Sequence, residues 1–242
     1  MLTMRFEHLG LRPGMRVLDV GCGGGRHIRQ TRLLPGITAV GLDLGAQEVA
    51  DTAKQMRELD AIAVQDGGTV PGAGPWVSLR GSVYELPFAD ATFDCVIISE
   101  VLEHLGEDDR ALAEIARVLK PGGTLAASVP RRGPELICWA LSREYRTTPG
   151  GHIRVYRADE LRQKLEQRGF HIFKRHFAHA LHSPYWWLKC AVGLEREQDS
   201  RVRLYHRLLV WDMMQRPLLT RVLEAVLQPA IGKSVVFYGT KG

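Results

Sequence analysis

The sequence lacks any apolar run near the ~20 residues that a helix needs to cross a bilayer, although 45% of its 242 residues are hydrophobic. It also lacks the uninterrupted apolar stretch of a signal peptide, because the segment Met1–Leu11 carries Arg5, Glu7 and His8. We therefore expect a cytoplasmic protein.

Cysteine is scarce and scattered. The four cysteines, Cys22, Cys95, Cys138 and Cys190, form no C-x-x-C pair. Zinc sites and the disulfide frameworks of small secreted domains both depend on closely patterned cysteines. The spacing therefore predicts free thiols in a reducing compartment, with neither a disulfide framework nor a zinc site.

Neither sign of charge dominates. Lys and Arg number 32 against 27 Asp and Glu, so the formal net charge is only +5. Such a small excess attracts acidic partners weakly, and no RNA- or DNA-binding motif accompanies it. Nucleic acid is therefore not an expected partner.

The order of elements predicts the fold class. Over the first 130 residues, short apolar runs alternate with longer helical patterns, as in a parallel sheet with crossover helices. The predicted strands are 16–20, 37–42, 76–80, 93–99 and 124–129, and the predicted helices are 24–34, 46–59 and 108–119. Asp66–Pro75 is rich in Gly and Pro, which predicts a surface insertion. The continuous apolar strand 93–99 suits the centre of the sheet.

The second half is less regular. A helix is predicted over Ala158–Arg168 and strands over 170–177 and 232–239, with roughly fifty residues of helical character between these strands. No linker is apparent, so we expect one domain over 1–242. Its parts are a cofactor-binding core (1–130), substrate-side elements with a helical insertion (131–231) and a final strand (232–240).

A glycine-rich turn follows the first strand. The segment Asp19–Gly25 (DVGCGGG) supplies glycines where a backbone turns sharply or a ligand approaches closely. The next helix begins with unpaired N–H groups and a positive dipole end. Asp43 ends the second strand, where a carboxylate can accept both ribose hydroxyls of an adenosine. Together these features indicate an adenosine-containing cofactor.

The same turn disfavours a dinucleotide. The G-x-G-x-x-G pattern requires a small residue at its sixth position, but counting from Gly21 that residue is Arg26. Asp19 precedes Gly21 by two residues, where it can interact with a cationic or amine-bearing ligand. An NAD-dependent oxidoreductase is therefore the weaker alternative.

Five segments occur in an order that resembles class I S-adenosylmethionine-dependent methyltransferases, in particular the small-molecule "type 11"-like branch. They are Asp19–Gly25, Val40–Asp43 (VGLD), Gly81–Phe88 (GSVYELPF), Phe93–Leu105 (FDCVIISEVLEHL) and Arg117–Gly123 (RVLKPGG). The resemblance covers residues 14–130 and extends more loosely to Phe170. It implies a Rossmann-like α/β fold with a mostly parallel seven-stranded sheet, helices on both faces, and a C-terminal helical lid inserted before the last strand. The implied cofactor is S-adenosyl-L-methionine.

The resemblance also implies which residues bind the cofactor. Gly21, Cys22 and Gly23 would line its methionyl part, Asp43 would hold the ribose, and Leu44 would lie against the adenine. A helix N-cap is the alternative role of Asp43.

The remaining cofactor contacts would follow the third and fourth strands. Ser82 stands where close relatives often carry Asp, and it would accept from the adenine amino group, while Val83 offers its backbone N–H. The Ser99 backbone would meet the methionyl amine. Glu100 follows it at the rim of the sheet, where ligands bind in open α/β folds.

Two histidines are candidate catalytic bases. Methyl transfer from sulfur disperses charge, so positioning and exclusion of water supply most of the catalysis, and a base is needed only for an acceptor that loses a proton. His104, in the Glu103-His104 pair, and His152, after a Gly-rich loop, can serve this role. The alternatives are structural: His104 capping local backbone, and His152 with Arg154 holding the loop. No D-x-D or carboxylate–histidine cluster is apparent, so no metal site is expected.

The acceptor is expected to be small and apolar. His176–Lys189 combines aromatics with histidines, and 205–214 and 218–227 are predicted amphipathic helices flanked by Arg. These segments can cover a quinone, polyketide, isoprenoid or glycolipid, lie on a membrane surface, or simply pack added helices onto the core.

Two other functions remain alternatives. A non-catalytic partner or regulatory protein would bind the cofactor without transferring methyl groups. A nucleic-acid methyltransferase that acts on amino groups would carry an N/D-P-P-Y/W-like tetrapeptide after the fourth strand, where this chain has Ser99–Leu102 (SEVL). The small-molecule acceptor is therefore preferred.

Overall fold

One sheet organises the chain in the computed structural model, which describes residues 2–65 and 74–242. Within these ranges the sheet has seven strands: β1 (Arg16–Val20), β2 (Thr38–Asp43), β3 (Trp76–Arg80), β4 (Phe93–Ser99), β5 (Leu119–Pro130), β6 (Phe170–Ala178) and β7 (Ser234–Lys241). Their order is β3-β2-β1-β4-β5-β7-β6. Only β7 pairs antiparallel, with β5 and β6. The predicted Rossmann-like, mostly parallel sheet is confirmed.

Helices connect these strands. They are α1 (Arg26–Arg32), α2 (Ala46–Gln65), α3 (Asp108–Val118), α4 (Arg132–Leu141), α5 (Arg143–Thr147), α6 (Ala158–Gln167), α7 (His182–Val192), α8 (Ser200–Gln215) and α9 (Leu218–Ile231). The last three lie between β6 and β7, where the helical insertion was predicted.

Successive side chains along each strand point to opposite faces of the sheet, so a hydrophobic core forms on each face. Leu18 and Ile98 pack on one face with Leu112 of α3 and Leu161 of α6. The neighbouring residues Val17 and Ile97 pack on the other face with Met4 and Leu9 of the N-terminal segment. On that second face Ala39 of β2 also packs with Ile28 of α1 and Met56 of α2. The central strand β4 is buried over most of its length, as its continuous apolar sequence predicted.

Two element boundaries differ from prediction for backbone reasons. Helix α1 begins at Arg26 rather than Gly24, because Gly25 has a φ of 80° and its left-handed conformation ends the turn before the helix. Strand β5 begins at Leu119 rather than Thr124, and its pairing with β4 shifts register between Phe93 and Cys95. The Pro-Gly-Gly segment that was expected to precede the strand therefore lies in its irregular first part.

Helix α2 runs beyond the predicted end at Leu59. Of the predicted surface insertion over Asp66–Pro75, residues 66–73 lie outside the described residues. Across the described ranges, none of the helices combines the length and apolar character required to traverse a bilayer.

Candidate active site

A cavity of about 460 Å³ opens at the carboxyl ends of β1, β2 and β4. Ligands of open α/β sheets bind at this edge, beside the point where strand order reverses. In this sheet the reversal lies between β1 and β4. Seven of the predicted site residues line the cavity: Gly21, Asp43, Leu44, Ser82, Val83, Glu100 and His104.

The turn after β1 brings its backbone close to this cavity. Gly21 has a φ of 68°, and a Cβ there would overlap the Val101 side chain, so only glycine fits without strain. Its N–H donates to the Leu42 carbonyl at 2.7 Å, which ties the turn to the end of β2. The sequence therefore uses glycine here for both conformation and space.

Asp43 connects this turn to the start of α2. Its Oδ2 accepts from the Gly23 N–H at 2.8 Å, and its Oδ1 accepts from the Gly45 N–H at 2.9 Å. The donor of the second bond precedes α2 rather than belonging to its first turn, as an N-cap bond would require, and Asp43 also lines the cavity. Leu44 follows at the cavity rim with 69% of its surface exposed.

The segment after β3 forms another wall of the cavity. Ser82 accepts from the Tyr84 N–H through its hydroxyl at 3.2 Å, so one of its lone pairs is engaged locally. Val83 is 8% exposed and belongs to the core. Both residues line the cavity, and their contacts with an adenine stay predictions.

Four of the predicted cofactor-binding residues stand apart from the cavity lining: Asp19, Cys22, Gly23 and Ser99. The Cys22 thiol lies 3.8 Å from the Thr52 hydroxyl. Ser99 Oγ lies 3.0 Å from Ser128 Oγ and accepts from the Arg26 guanidinium at 3.2 Å. Their predicted contacts with the cofactor stay predictions.

Asp19 is buried, with 2% of its surface exposed, and its carboxyl oxygens have no hydrogen-bond partner among the described residues. Burial raises the pKa of Asp19 to about 7, although the nearby Arg26 guanidinium opposes the shift. A cationic ligand near the turn would therefore meet a carboxyl group that titrates near neutral pH.

Glu100 adopts a strained conformation at the cavity. Its φ is 57°, a left-handed value that non-glycine residues rarely adopt. Its Oε1 accepts from the Ser128 hydroxyl at 2.9 Å. Strain of this kind is retained when the surrounding structure holds it, and here it directs a carboxylate at a ligand-sized cavity.

The two candidate histidines lie side by side. Their ring centroids are 5.0 Å apart. His104 Nδ1 lies 3.1 Å from the Gly151 carbonyl, and His152 Nδ1 lies 2.6 Å from Glu135 Oε1. Both therefore make structural contacts, but His104 contacts the distant loop at Gly151 rather than the local backbone that its alternative role named. Arg154 contributes by donating to the Gly106 carbonyl and pairing with Asp108.

The expectation that no carboxylate–histidine cluster exists is wrong. Glu103 Oε1 lies 3.9 Å from Nε2 of both His104 and His152, and one ligand atom from each of the three lies within 4.8 Å of the others. Sequence reasoning noted Glu103 beside His104, but nothing in the sequence indicated that His152 or Glu135 would fold against them.

Burial and charge are unusual in this cluster. Glu103 is fully buried, and burial together with the neighbouring Glu100 charge raises its pKa well above the ordinary value. For Glu135, burial is the largest single effect and opposes ionisation, but the hydrogen bond and charge of His152, together with Lys233 and Tyr145, outweigh it and the pKa is lowered.

A second cavity of about 300 Å³ adjoins the first through His104. It is lined by His104, Tyr145, Thr148, Gly151, His152, Trp186, Lys189 and Leu194. Trp186 and Lys189 belong to α7, so the helical insertion contributes directly to this cavity. An apolar compound bound here would lie next to the first cavity.

Residues 18–127 match the protein family described as "Methyltransferase domain". The chain is 33% identical over 163 residues to a probable S-adenosylmethionine-dependent methyltransferase of Mycolicibacterium smegmatis, covering 66% of this chain and 53% of that protein. It is 35% identical over 116 residues to the ubiquinone/menaquinone biosynthesis C-methyltransferase of Vibrio cholerae, covering 48% and 41%.

A third relative is the sterol 24-C-methyltransferase of Yarrowia lipolytica, 30% identical over 185 residues and covering 70% of this chain and 44% of that protein. The chain thus spans about half the length of the curated relatives it matches. Among solved structures, it resembles Haemonchus contortus phosphoethanolamine N-methyltransferase 2 in complex with S-adenosyl-L-methionine, with a TM-score of 0.61 and 18% identity. That match covers 98% of this chain and 51% of the other.

Proposed function

Because the chain belongs to the class I S-adenosylmethionine-dependent methyltransferase family, we propose that it transfers the methyl group of S-adenosylmethionine to a small apolar acceptor. The observation that carries the proposal is the cavity at the carboxyl ends of β1, β2 and β4, where Gly21 and Asp43 meet. Motif order and the topology of the sheet support the same cofactor.

The residues around this cavity fit the cofactor. Asp43 is held in place by two backbone N–H donors, so its carboxylate is oriented before a ribose binds. Ser82 and Val83 form the opposite wall, suited to an adenine, and the glycine turn leaves room for the methionyl part. Glu100 supplies a negative charge at the rim.

The cofactor supplies an electrophilic methyl group on a positively charged sulfur. The chain's part is to hold the acceptor in line with that methyl group and to exclude water. The apolar second cavity, beside the first, performs both tasks. His104 and His152 border it, and an imidazole whose Nε2 carries no metal ion can accept a proton from an acceptor hydroxyl.

The acceptor class follows from this second cavity. Trp186, Tyr145 and Leu194 line it with little polar surface, which favours a ring or prenyl-like group over a charged metabolite. The names of two relatives, a quinone C-methyltransferase and a sterol C-methyltransferase, support an apolar acceptor.

The helices α8 and α9 suggest where such an acceptor is met. They expose an apolar set that we call the α8–α9 surface: Leu204, Leu208, Trp211, Met214, Leu218, Leu219, Val222 and Val226. Exposed arginines flank it, including Arg207 and Arg221. Apolar side chains bordered by arginine suit an anionic bilayer, so we propose that this surface contacts the membrane.

Calorimetry with S-adenosylhomocysteine tests the cofactor site. We expect saturable binding by the unaltered chain and binding weakened about tenfold or more by Asp43→Ala, because a hydrogen bond to a charged acceptor contributes ~1.5–3 kcal/mol. Asp51→Ala, an exposed carboxylate on α2, is the matched control and should bind normally. Absence of saturable binding by the folded, unaltered chain would overturn the proposal.

Transfer is tested with methyl-labelled S-adenosylmethionine and two acceptor classes, prenylated hydroquinones and sterols. Label that moves into the organic phase supports the proposed reaction. Binding of the cofactor without transfer to these or to polar metabolites would instead favour the non-catalytic partner or regulatory protein.

A further inference from the structure

Three potential metal ligands, two imidazole nitrogens and one carboxylate oxygen, lie together where the two cavities meet. His104 follows β4, His152 lies on the loop before α6, and Glu103 lies beneath them with 1% of its side chain exposed. Both distances from Glu103 Oε1 to the imidazole Nε2 atoms are 3.9 Å. That is too long for a hydrogen bond. Two ligand atoms on opposite sides of one ion, each bonded at about 2.1 Å, lie ~4.2 Å apart. Atoms 3.9 Å apart can therefore bind the same ion.

The other nitrogen of each imidazole is already engaged. His104 Nδ1 contacts the Gly151 carbonyl, and His152 Nδ1 contacts the Glu135 carboxylate. A carbonyl and a carboxylate accept hydrogen bonds, so each Nδ1 is the donor, and Nε2 is the nitrogen of each ring that is left for a metal ion. Metal-binding histidines are characteristically oriented in this way, by a carboxylate or a backbone carbonyl on the second nitrogen.

Glu103 has no donor of its own in the described part of the chain. Both of its carboxyl oxygens are buried without a hydrogen-bond partner. Buried polar groups nearly always have partners, and leaving one without costs free energy. Glu100 and Glu135 add two further carboxylates nearby, and Lys233 is the cation that acts on Glu103 from the neighbouring elements.

We propose that Glu103, His104 and His152 bind a divalent first-row transition metal ion, with Glu135 positioning His152. Two imidazoles and one carboxylate suit Mn²⁺, Fe²⁺, Co²⁺ or Zn²⁺, whereas Mg²⁺ and Ca²⁺ prefer oxygen ligands alone. Three protein ligands leave positions open on the ion. These positions would face the cavity that His104 and His152 line, where an acceptor oxygen could bind, a consequence that rests on the proposed function.

The test uses the full chain, freed of metal with a chelator and titrated with Co²⁺ at neutral pH. We expect ligand-field absorption in the visible range that saturates at one ion per chain and disappears when Zn²⁺ is added. Zn²⁺ should also raise the Tm. No saturable absorption would overturn the proposal.

Variants identify the ligands. His104→Ala removes a side chain that is 36% exposed, and it should weaken Co²⁺ binding about tenfold or more, because even second-shell substitutions cost 10–100-fold. Glu103→Gln keeps the shape of the side chain and should weaken binding similarly, which decides the matter if His104→Ala folds poorly. His171→Ala, an exposed histidine on β6, is the control and should bind as the unaltered chain does.

The thiols provide the competing explanation. Cys138 and Cys190 contact one another close to Glu135 and could also bind Co²⁺. Thiolate ligands give strong near-ultraviolet charge-transfer bands, which the proposed nitrogen and oxygen ligands do not. Such bands, or equal binding by His104→Ala and His171→Ala, would overturn the proposal. Binding of S-adenosylhomocysteine is measured separately, so failure of the metal site is distinguishable from failure of the cofactor site.

Discussion

At the residue scale, buried carboxyl groups distinguish this site. Each carboxylate oxygen of Asp43 accepts one backbone hydrogen bond, whereas Asp19 and Glu103 are buried without hydrogen-bond partners among the residues described. A buried carboxyl without a partner lowers stability when it ionises, unless a cation offsets the charge. Such residues are commonly retained where a ligand supplies the missing charge.

Asp19 makes the stability of the cofactor-free protein depend on pH. Its pKa is raised from 3.8 to about 7, so the folded state keeps its proton where the unfolded state has lost it. The contribution of Asp19 to the free energy of unfolding is therefore at its most favourable below about pH 4, and it falls as the pH rises toward 7. Relative to Asp19→Asn, the unfolding free energy should fall by up to about 4 kcal/mol over this range.

Urea unfolding of both proteins at a series of pH values measures this effect. The asparagine variant is the matched control, because it keeps the shape of the side chain and has no proton to lose. Parallel stability curves from pH 4 to pH 8 would contradict the prediction.

At the element scale, the turn between β1 and α1 determines the shape of the cofactor cavity. It contains two glycines, three residues apart, with different structural demands. Gly21 has a positive φ and faces Val101, whereas Gly24 has an ordinary φ and its nearest neighbour to an added Cβ would be Gln55 Nε2 at 3.7 Å. Glycine is therefore required at position 21, whereas position 24 has room for a side chain.

Gly21→Ala should lower the unfolding free energy by ~1–3 kcal/mol, because alanine disfavours a positive φ and its Cβ would displace Val101. It should also weaken S-adenosylhomocysteine binding. Gly24→Ala is the control and should change stability by less than about 0.5 kcal/mol. Denaturant unfolding and calorimetry measure both effects, and losses of equal size in the two variants would contradict the difference predicted between the two positions.

At the scale of the whole molecule, the apolar α8–α9 surface and the small positive net charge act together. Leu204, Leu208 and Trp211 recur at helical spacing along α8, and Leu218, Val222 and Val226 do so along α9. Exposed apolar residues at helical spacing on a helix are typical of an interaction site. The net charge of +5 favours anionic over neutral lipid.

We expect the chain to bind phosphatidylserine-containing vesicles, more weakly as salt increases. The double substitution Leu208→Glu and Val222→Glu should reduce binding at least tenfold, because each buried aliphatic side chain contributes ~1.5–3 kcal/mol. Ile62→Glu, an exposed apolar position on α2, should bind normally. Vesicle flotation measures all three.

Analytical ultracentrifugation of the same variants tests whether a second copy of the chain, rather than a membrane, covers the α8–α9 surface. A dimer that the double substitution abolishes, without vesicle binding by the unaltered chain, would assign the α8–α9 surface to contact between copies.

Much of the fold follows from local sequence patterns. Strand β4 is apolar apart from Asp94 and Ser99 and proves to be central, and the turn after β1 requires at Gly21 a glycine that few other residues could replace. Asp43 is separated from Gly23 by a single helix and the strand after it, so the order of elements alone places them together. Such local and sequential features are determined by backbone sterics and hydrophobic periodicity.

Only the tertiary structure decided the rest. Folding brings His152 and Glu135, from segments far along the chain, against Glu103 and His104. It also leaves the apolar residues of α8 and α9 exposed, where their pattern alone is equally suited to packing on the core. The physical reason is that periodicity specifies which face of an element is apolar, whereas long-range packing determines what that face, or a buried carboxylate, meets.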